Sequence, residues 1–415
     1  MDVVDRLAPP TGSPALCGAR LQACEWTSAF AEPLFPPTAP HRIGYLPTEW
    51  PHAHAWRRVL RAMPSRSRAM RPPFLVAAVA ACVCLGRPLP AVAEAEMPRV
   101  IFDTDITGDC DDVLALAMCH TLADRNACEL LAVTVSKDNP LTGPFVDAVN
   151  TFYGRPDLPV GVTRDPDAQA RASRYLGIVE SGVYPHDLRS NDTAEEAVSL
   201  LRRTLAAQPD GGVTIVSVGT ATNLAGLLRS PGDALSPLAG PDLVRRKVAL
   251  LAIMAGSFAD PPDGRPHLEA NVINHVAAMR FVADTWPDEV PIRWSGYEIG
   301  IALPYPRVSI AHDYASVPRH IVREAYLAHS GPDHDRPCWD QSSVLDAVFP
   351  HRGYFGLSRP GRVAFDADGR TRFTIDPDGR ARDRHLVLDR GASARALEAI
   401  VQLSSQPPMR DANPR

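Results

Sequence analysis

Residues 99–118 read RVIFDTDITGDCDDVLALAM, and their order decides the fold. A short apolar run, Val100-Ile101-Phe102, has the look of a buried strand, and Val113 to Met118 continue as a helix. Between them Asp103, Asp105, Asp109, Asp111 and Asp112 place five carboxylates within ten residues. Such charges repel by on the order of 1 kcal/mol per pair even in water, and by more where water is excluded, so a fold keeps them together only with a cation or shared protons. Strand, acidic loop and helix form the start of a βα unit, and in an open α/β sheet ligands bind in the crevice at the carboxyl ends of the strands. Hard oxygen donors suit Ca²⁺ or Mg²⁺, and the chain offers nothing like the softer sites that zinc prefers.

Working outward, four further segments follow in order. They are VTVSKDNP (residues 133–140), SVGTATNLAGLL (217–228), MAGSF (254–258) with LEANVINH (268–275), and CWDQSSVLDAV (338–348). Together with residues 100–118, this ordered set resembles the inosine-uridine nucleoside hydrolase family over about residues 97–365. The resemblance implies calcium-dependent hydrolysis of the N-glycosidic bond of a ribonucleoside or related ribosyl compound, releasing free base and ribose. It casts Asp105 as a calcium ligand and general base, Asp112 as the bidentate calcium ligand, Asp340 as the last carboxylate ligand and the Val218 carbonyl as a main-chain ligand. Asp111, Glu269 and Asn271 fall to the ribose, and Asp103 to fixing the loop.

Three departures from the family pattern leave alternatives open. The loop from Asp105 to Asp111 is longer than in well-known members, so Asp109 rivals Asp111. Where the family places an Asn on the ribose, this chain has Ser136-Lys137-Asp138-Asn139, which makes Asn139 and Lys137 rivals. Beside the last Asp many members carry a His as acid for the leaving base, whereas here Trp339 stands; it can stack on a base but has no acidic proton to give. His186, His334 and Glu298 are the substitutes to consider.

Two readings of other kinds compete. Phe102 to Thr107 also fits the Asp-x-Asp-x-Thr pattern of haloacid-dehalogenase-like, Mg²⁺-dependent phosphatases, but Lys247 begins a strand and no acidic pair follows it. A non-catalytic, calcium-dependent sugar-binding protein, with Trp339 as stacking platform, is the other.

Apolar runs alternate with helical stretches, the mark of a largely parallel sheet covered by helices. Strands are expected at 100–102, 130–135, 213–218, 248–254 and 291–294. Helices are expected at 111–123, 144–153, 194–207, 223–228, 272–284, 317–329 and 342–348. The fold class is α/β, an open, mostly parallel sheet with helices on both faces. A small C-terminal hairpin around Asp368-Gly369 and a last helix over 392–403 read as an appendage to the one domain, 97–407, being too small to bury much core alone.

Upstream, residues 1–62 carry nine prolines without periodic apolar pattern and read as an extension that is non-native or disordered. Residues 63–95 combine a basic start, the apolar run from Phe74 to Leu85 and small residues from Ala91 to Ala95, the parts of a secretory signal peptide. Export to the periplasm or the extracellular space is therefore expected, with lipid anchoring at Cys82 as a variant. The apolar run is too short for a transmembrane helix. Past residue 95, Cys110, Cys119, Cys128 and Cys338 show no metal-type pairing, and sequence does not say which of them an exported protein would bridge. A net charge of −5 without a basic tract argues against nucleic acid. With only Lys137 and Lys247, Schiff-base chemistry has few candidates. The expected partner is a small molecule, and a homo-oligomer is compatible with the sequence.

Overall fold

The computed structural model describes residues 97–168, 172–259 and 266–409. The expected extension and signal peptide lie outside these. The acidic stretch is a strand–loop–helix: β1 (Arg99–Thr104) ends in the loop that carries Asp105 to Cys110, and α1 (Asp111–Asp124) follows. Around β1 assemble β2 (Glu129–Val135), β3 (Val160–Val162), β4 (Glu195–Glu196), β5 (Val213–Ser217), β6 (Val248–Met254) and β7 (Ile292–Ser295), all parallel to their neighbours. The order runs β7-β6-β5-β1-β2-β3-β4, so the chain builds outward from β1 in both directions.

Alternation along the strands divides the core. Val100, Phe102, Val216, Ala252 and Met254 face one side, with α1, α2 (Thr142–Phe152) and the late helices α10 (Ile321–Ser330), α11 (Trp339–Val348) and α12 (Arg390–Ser405). Ile101, Val213, Ile215, Leu251 and Ile253 face the other, with α3 (Ala197–Ala207), α4 (Thr222–Arg229), α5 (Gly240–Lys247) and α7 (Val276–Thr285). Helices on both faces are what a parallel sheet needs, since neither face can meet water. Helix α1 is buried from Asp111 to Leu122, which explains an apolar pattern without a polar face.

After β7 come α8 (Tyr297–Ile301), β8 (Pro304–Tyr305), α9 (Arg307–His312), β9 (Arg336–Pro337), which pairs antiparallel with β8, and β10 (Gly356–Leu357). The C-terminal hairpin joins the sheet as an appendage to the one domain. Strands β11 (Gly361–Phe365) and β12 (Thr371–Ile375) pair antiparallel, and β13 (Asp383–Val387) runs parallel to β7 and bridges β11 at Gly361. The sequence reading differs elsewhere in detail. The helix expected over 272–284 is two, α6 (Ala270–Ile273) and α7, because His275 leaves helical geometry and its ring bonds Thr222 Oγ1 at 2.9 Å. Helix α3 starts at Ala197 because Glu196 caps it, accepting from the amides of Val198 and Ser199. The four cysteines of the described region are buried and free. No helix among the described residues is long and apolar enough to cross a membrane.

Candidate functional site

Asp103 lies at a register point opposite Thr134 on β2 and Ser217 on β5. Its carboxylate accepts from Thr134 Oγ1 (2.7 Å), Ser217 Oγ (2.9 Å) and Asn223 Nδ2 (2.8 Å), so one fully buried group ties β1, β2, β5 and α4 together. Burial pushes its pKa up to about 6. This residue holds the loop in place and does not line the cavity described next.

That cavity, about 350 Å³, opens at the carboxyl ends of β1, β5 and β6. Asp105, Asp111, Asp112, Val218, Glu269, Asn271, Trp339 and Asp340 all line it. Oxygens of Asp111, Asp112 and Asp340 lie within 4.8 Å of one another, a grouping able to hold a metal ion. Each belongs to the first turn of a helix, α1 or α11, where the amino-terminal end of the helix dipole offsets part of their charge. Burial, and then the charges of one another and of Asp105 and Asp109, push all three carboxyls well above the usual range. Thr104 Oγ1 also donates to Asp112. Three acids driven toward the neutral form by desolvation and repulsion are what a divalent cation would return to the charged form, and all-oxygen donors fit a hard ion.

Asp105 lines the same cavity at the end of β1, and its charge bears on Asp112 and Asp340. The loop carrying Val218 approaches it closely: a Cβ on Gly219 would lie 2.7 Å from Asp105 Cβ and 2.8 Å from Ser136 Oγ. Asn271 Nδ2 donates to the carbonyls of Val218 (2.8 Å) and Met254 (3.1 Å), which binds the ends of β5 and β6 to α6. Glu269 caps α6, its carboxylate accepting from the amides of Asn271, Val272 and Gly256, and burial raises its pKa to about 7.

The rivals separate. Asp109 forms a paired contact with Arg336, through Nε at 2.8 Å and through Nη2; burial alone would raise its pKa, but these bonds and the guanidinium charge bring it below the usual value. Asp111, not Asp109, joins Asp112 and Asp340. Neither Asn139 nor Lys137 is among the described lining residues; Asn139 Oδ1 accepts from the Leu141 amide (3.1 Å) at the start of α2. His186, His334 and Glu298 do not line the cavity either.

Around Trp339, which the sequence did point to, stand three lining residues that it did not: His267, Tyr297 and Arg336. His267 stacks on Tyr297, with ring centroids 3.6 Å apart, and Tyr297 on Trp339 at 5.7 Å. Trp339 Nε1 donates to the Tyr297 carbonyl at 2.9 Å, its ring packs against Gly300, and the Arg336 guanidinium lies 5.4 Å from the ring centre. The only signal for these residues was adjacency: His267 precedes the Leu268–Asn271 segment, Arg336 precedes Cys338-Trp339-Asp340, and Tyr297 follows β7.

A family model described as inosine-uridine preferring nucleoside hydrolase matches residues 100–316, more than half of the chain. Among solved structures, a plant nucleoside hydrolase superposes with a TM-score of 0.55 at 19% identity, covering 75% of this chain and 100% of its own. A purine-preferring ribonucleoside hydrolase from Gardnerella vaginalis gives 0.57 at 16%, covering 74% and 98%. The type III effector protein XopQ, complexed with adenosine diphosphate ribose, gives 0.53 at 18%, covering 81% and 100%. At these identities the likeness is one of fold. No curated protein matches the sequence.

Proposed function

The chain belongs to the inosine-uridine preferring nucleoside hydrolase family, and from that premise we propose that its cavity hydrolyses a ribonucleoside or related ribosyl compound with a calcium ion held by Asp105, Asp112, Asp340 and the Val218 carbonyl. Membership makes it a hydrolase acting on N-glycosyl compounds. Calcium dependence and the ribosyl substrate are our reading. The observation that carries it is the buried grouping of Asp111, Asp112 and Asp340 in a cavity that also presents aromatic rings.

An ion bound there would supply the positive charge that acidifies an attacking water and orients sugar hydroxyls. Asp105, the least buried acid of the group, takes the proton of that water as general base. Asp111 and Asn271 hold the ribose hydroxyls, and Glu269 keeps Asn271 in place through the amide it binds. Trp339 offers the departing base a surface to stack on. Asn139 remains a proposed ribose contact, reached only if its loop shifts toward the cavity. That the effector structure holds adenosine diphosphate ribose supports including ribosyl conjugates among the substrates.

Calorimetric titration of chelator-treated protein with calcium tests the metal half of this reading. About one site per chain is expected, and Asp112→Ala should weaken it by on the order of 10²-fold, because ligand charge sets calcium affinity. Unchanged affinity in Asp112→Ala would remove the assignment.

A further inference from the structure

A departing purine or pyrimidine carries the electron pair of the broken bond and leaves far more readily when a proton reaches one of its ring nitrogens. Beside Asp340 stands Trp339, whose indole N–H is taken by the Tyr297 carbonyl and is not acidic. Arg336 is held by Asp109, and a guanidinium does not release its proton. The Glu269 carboxylate is engaged by three main-chain amides. Asp111, Asp112 and Asp340 are grouped together, Asp109 is held by Arg336, and Asp105 is the base on the water's side of the sugar in the reading above. Among the described lining residues His267 and Tyr297 then remain, and an imidazolium is a far stronger acid than a phenol, which leaves His267 as the donor for moderate pH.

Its place in the cavity agrees with that role. The imidazole lies on the Tyr297 ring, inclined by 25°, and Tyr297 lies on Trp339, inclined by 26°, so the donor is attached to the aromatic surface on which a base would rest. We propose that His267 is the proton donor to the leaving base, standing on a different loop from the Asp340 segment. The inference rests on the nucleosidase reading above. In the step, the C1′–N bond breaks and its electrons pass to the base, an imidazolium N–H of His267 protonates a base nitrogen, and water adds to C1′ while Asp105 takes its proton. Neutral base and ribose leave, and both side chains return to their starting forms by exchange with solvent. Burial lowers the pKa of His267, which makes its imidazolium the readier donor.

The test compares wild type with His267→Ala and His267→Gln on the best nucleoside from a purine and pyrimidine panel and on 4-nitrophenyl β-ribofuranoside, whose phenolate leaves without a proton. Both variants should lose on the order of 10²-fold in kcat on the nucleoside and change less than about threefold on the nitrophenyl riboside. Calcium affinity, read by calorimetry, should stay within about twofold, since His267 is not a ligand. Equal losses on both substrates, undiminished nucleoside turnover, or lost calcium binding in both variants would each overturn the assignment to His267 alone. A wild-type enzyme that cleaves neither substrate overturns the nucleosidase reading, and this inference with it.

Discussion

Asp103 and Asp105 are two residues apart and do opposite work. The first faces into the sheet and satisfies Thr134, Ser217 and Asn223; the second lines the cavity. Asp103→Ala leaves three buried donors short of an acceptor, so urea denaturation should show a loss of about 2–4 kcal/mol. Asp105→Ala should keep the melting temperature within a few degrees while kcat falls on the order of 10²-fold or more, the usual worth of general-base assistance. A stable, active Asp103→Ala protein or a fully active Asp105→Ala enzyme would contradict this division. The sequence displayed the acidic residues as one cluster because spacing alone does not say which way a loop side chain turns. The end of β1 at Thr104 separates Asp103, a strand residue, from the loop aspartates, but the pairing of Asp109 with Arg336 depends on a lone arginine in a polar segment far along the chain, which carries no periodic signal.

At the level of elements, the site is built from loops at the ends of strands and from the first turns of α1 and α11. Those strands were legible from their apolar runs, and both helices from the residues that follow the acidic motifs. The approach of the β5 loop to the β1 loop was not, because it depends on how two separate turns pack. Gly219 makes it possible, and Gly219→Ala, by pushing the Asp105 loop aside, should cost on the order of 10²-fold in kcat/KM through misplacement of the base. Circular dichroism should show the fold retained; a variant as active as wild type would mean that the loop yields without consequence.

Helices α1 and α2 are joined by another buried group. His120 stacks on Tyr153, its Nε2 lies 2.9 Å from Asn150 Oδ1, and burial, followed by the Arg155 charge, holds its pKa down to about 3 from 6.5. His320, also buried, is held at about 4. Both are neutral in the folded protein, whereas the unfolded chain takes up protons once the pH drops below about 6.5. Their contribution to stability is complete above that value and is lost as the pH falls toward the folded ones. The melting temperature of His120→Asn should therefore decline less steeply than that of wild type between about pH 6.5 and 4. Parallel curves would show that His120 is not the group that titrates on unfolding.

Across the whole molecule, the parallel centre followed from alternating apolar runs and helical stretches, and the cavity lies at the edge of the sheet where such a centre puts it. The hairpin near the C-terminus was visible from its Asp-Gly turn, yet not its seat: β13 lies parallel to β7, a pairing set by tertiary packing that no local pattern encodes. On the aromatic side of the cavity Trp339 was legible, whereas His267 and Tyr297 were hidden for a similar reason, since the three come from separate segments brought together by packing. The central claim is that this arrangement turns over nucleosides with calcium. Its most direct test is ribose release from a panel of purine and pyrimidine nucleosides by protein that has been stripped with chelator and then reloaded. Release that is absent in the stripped protein and restored by calcium is the result expected. Calcium bound at about one ion per chain with no ribose released from any nucleoside would contradict the claim and leave a sugar-binding protein in its place.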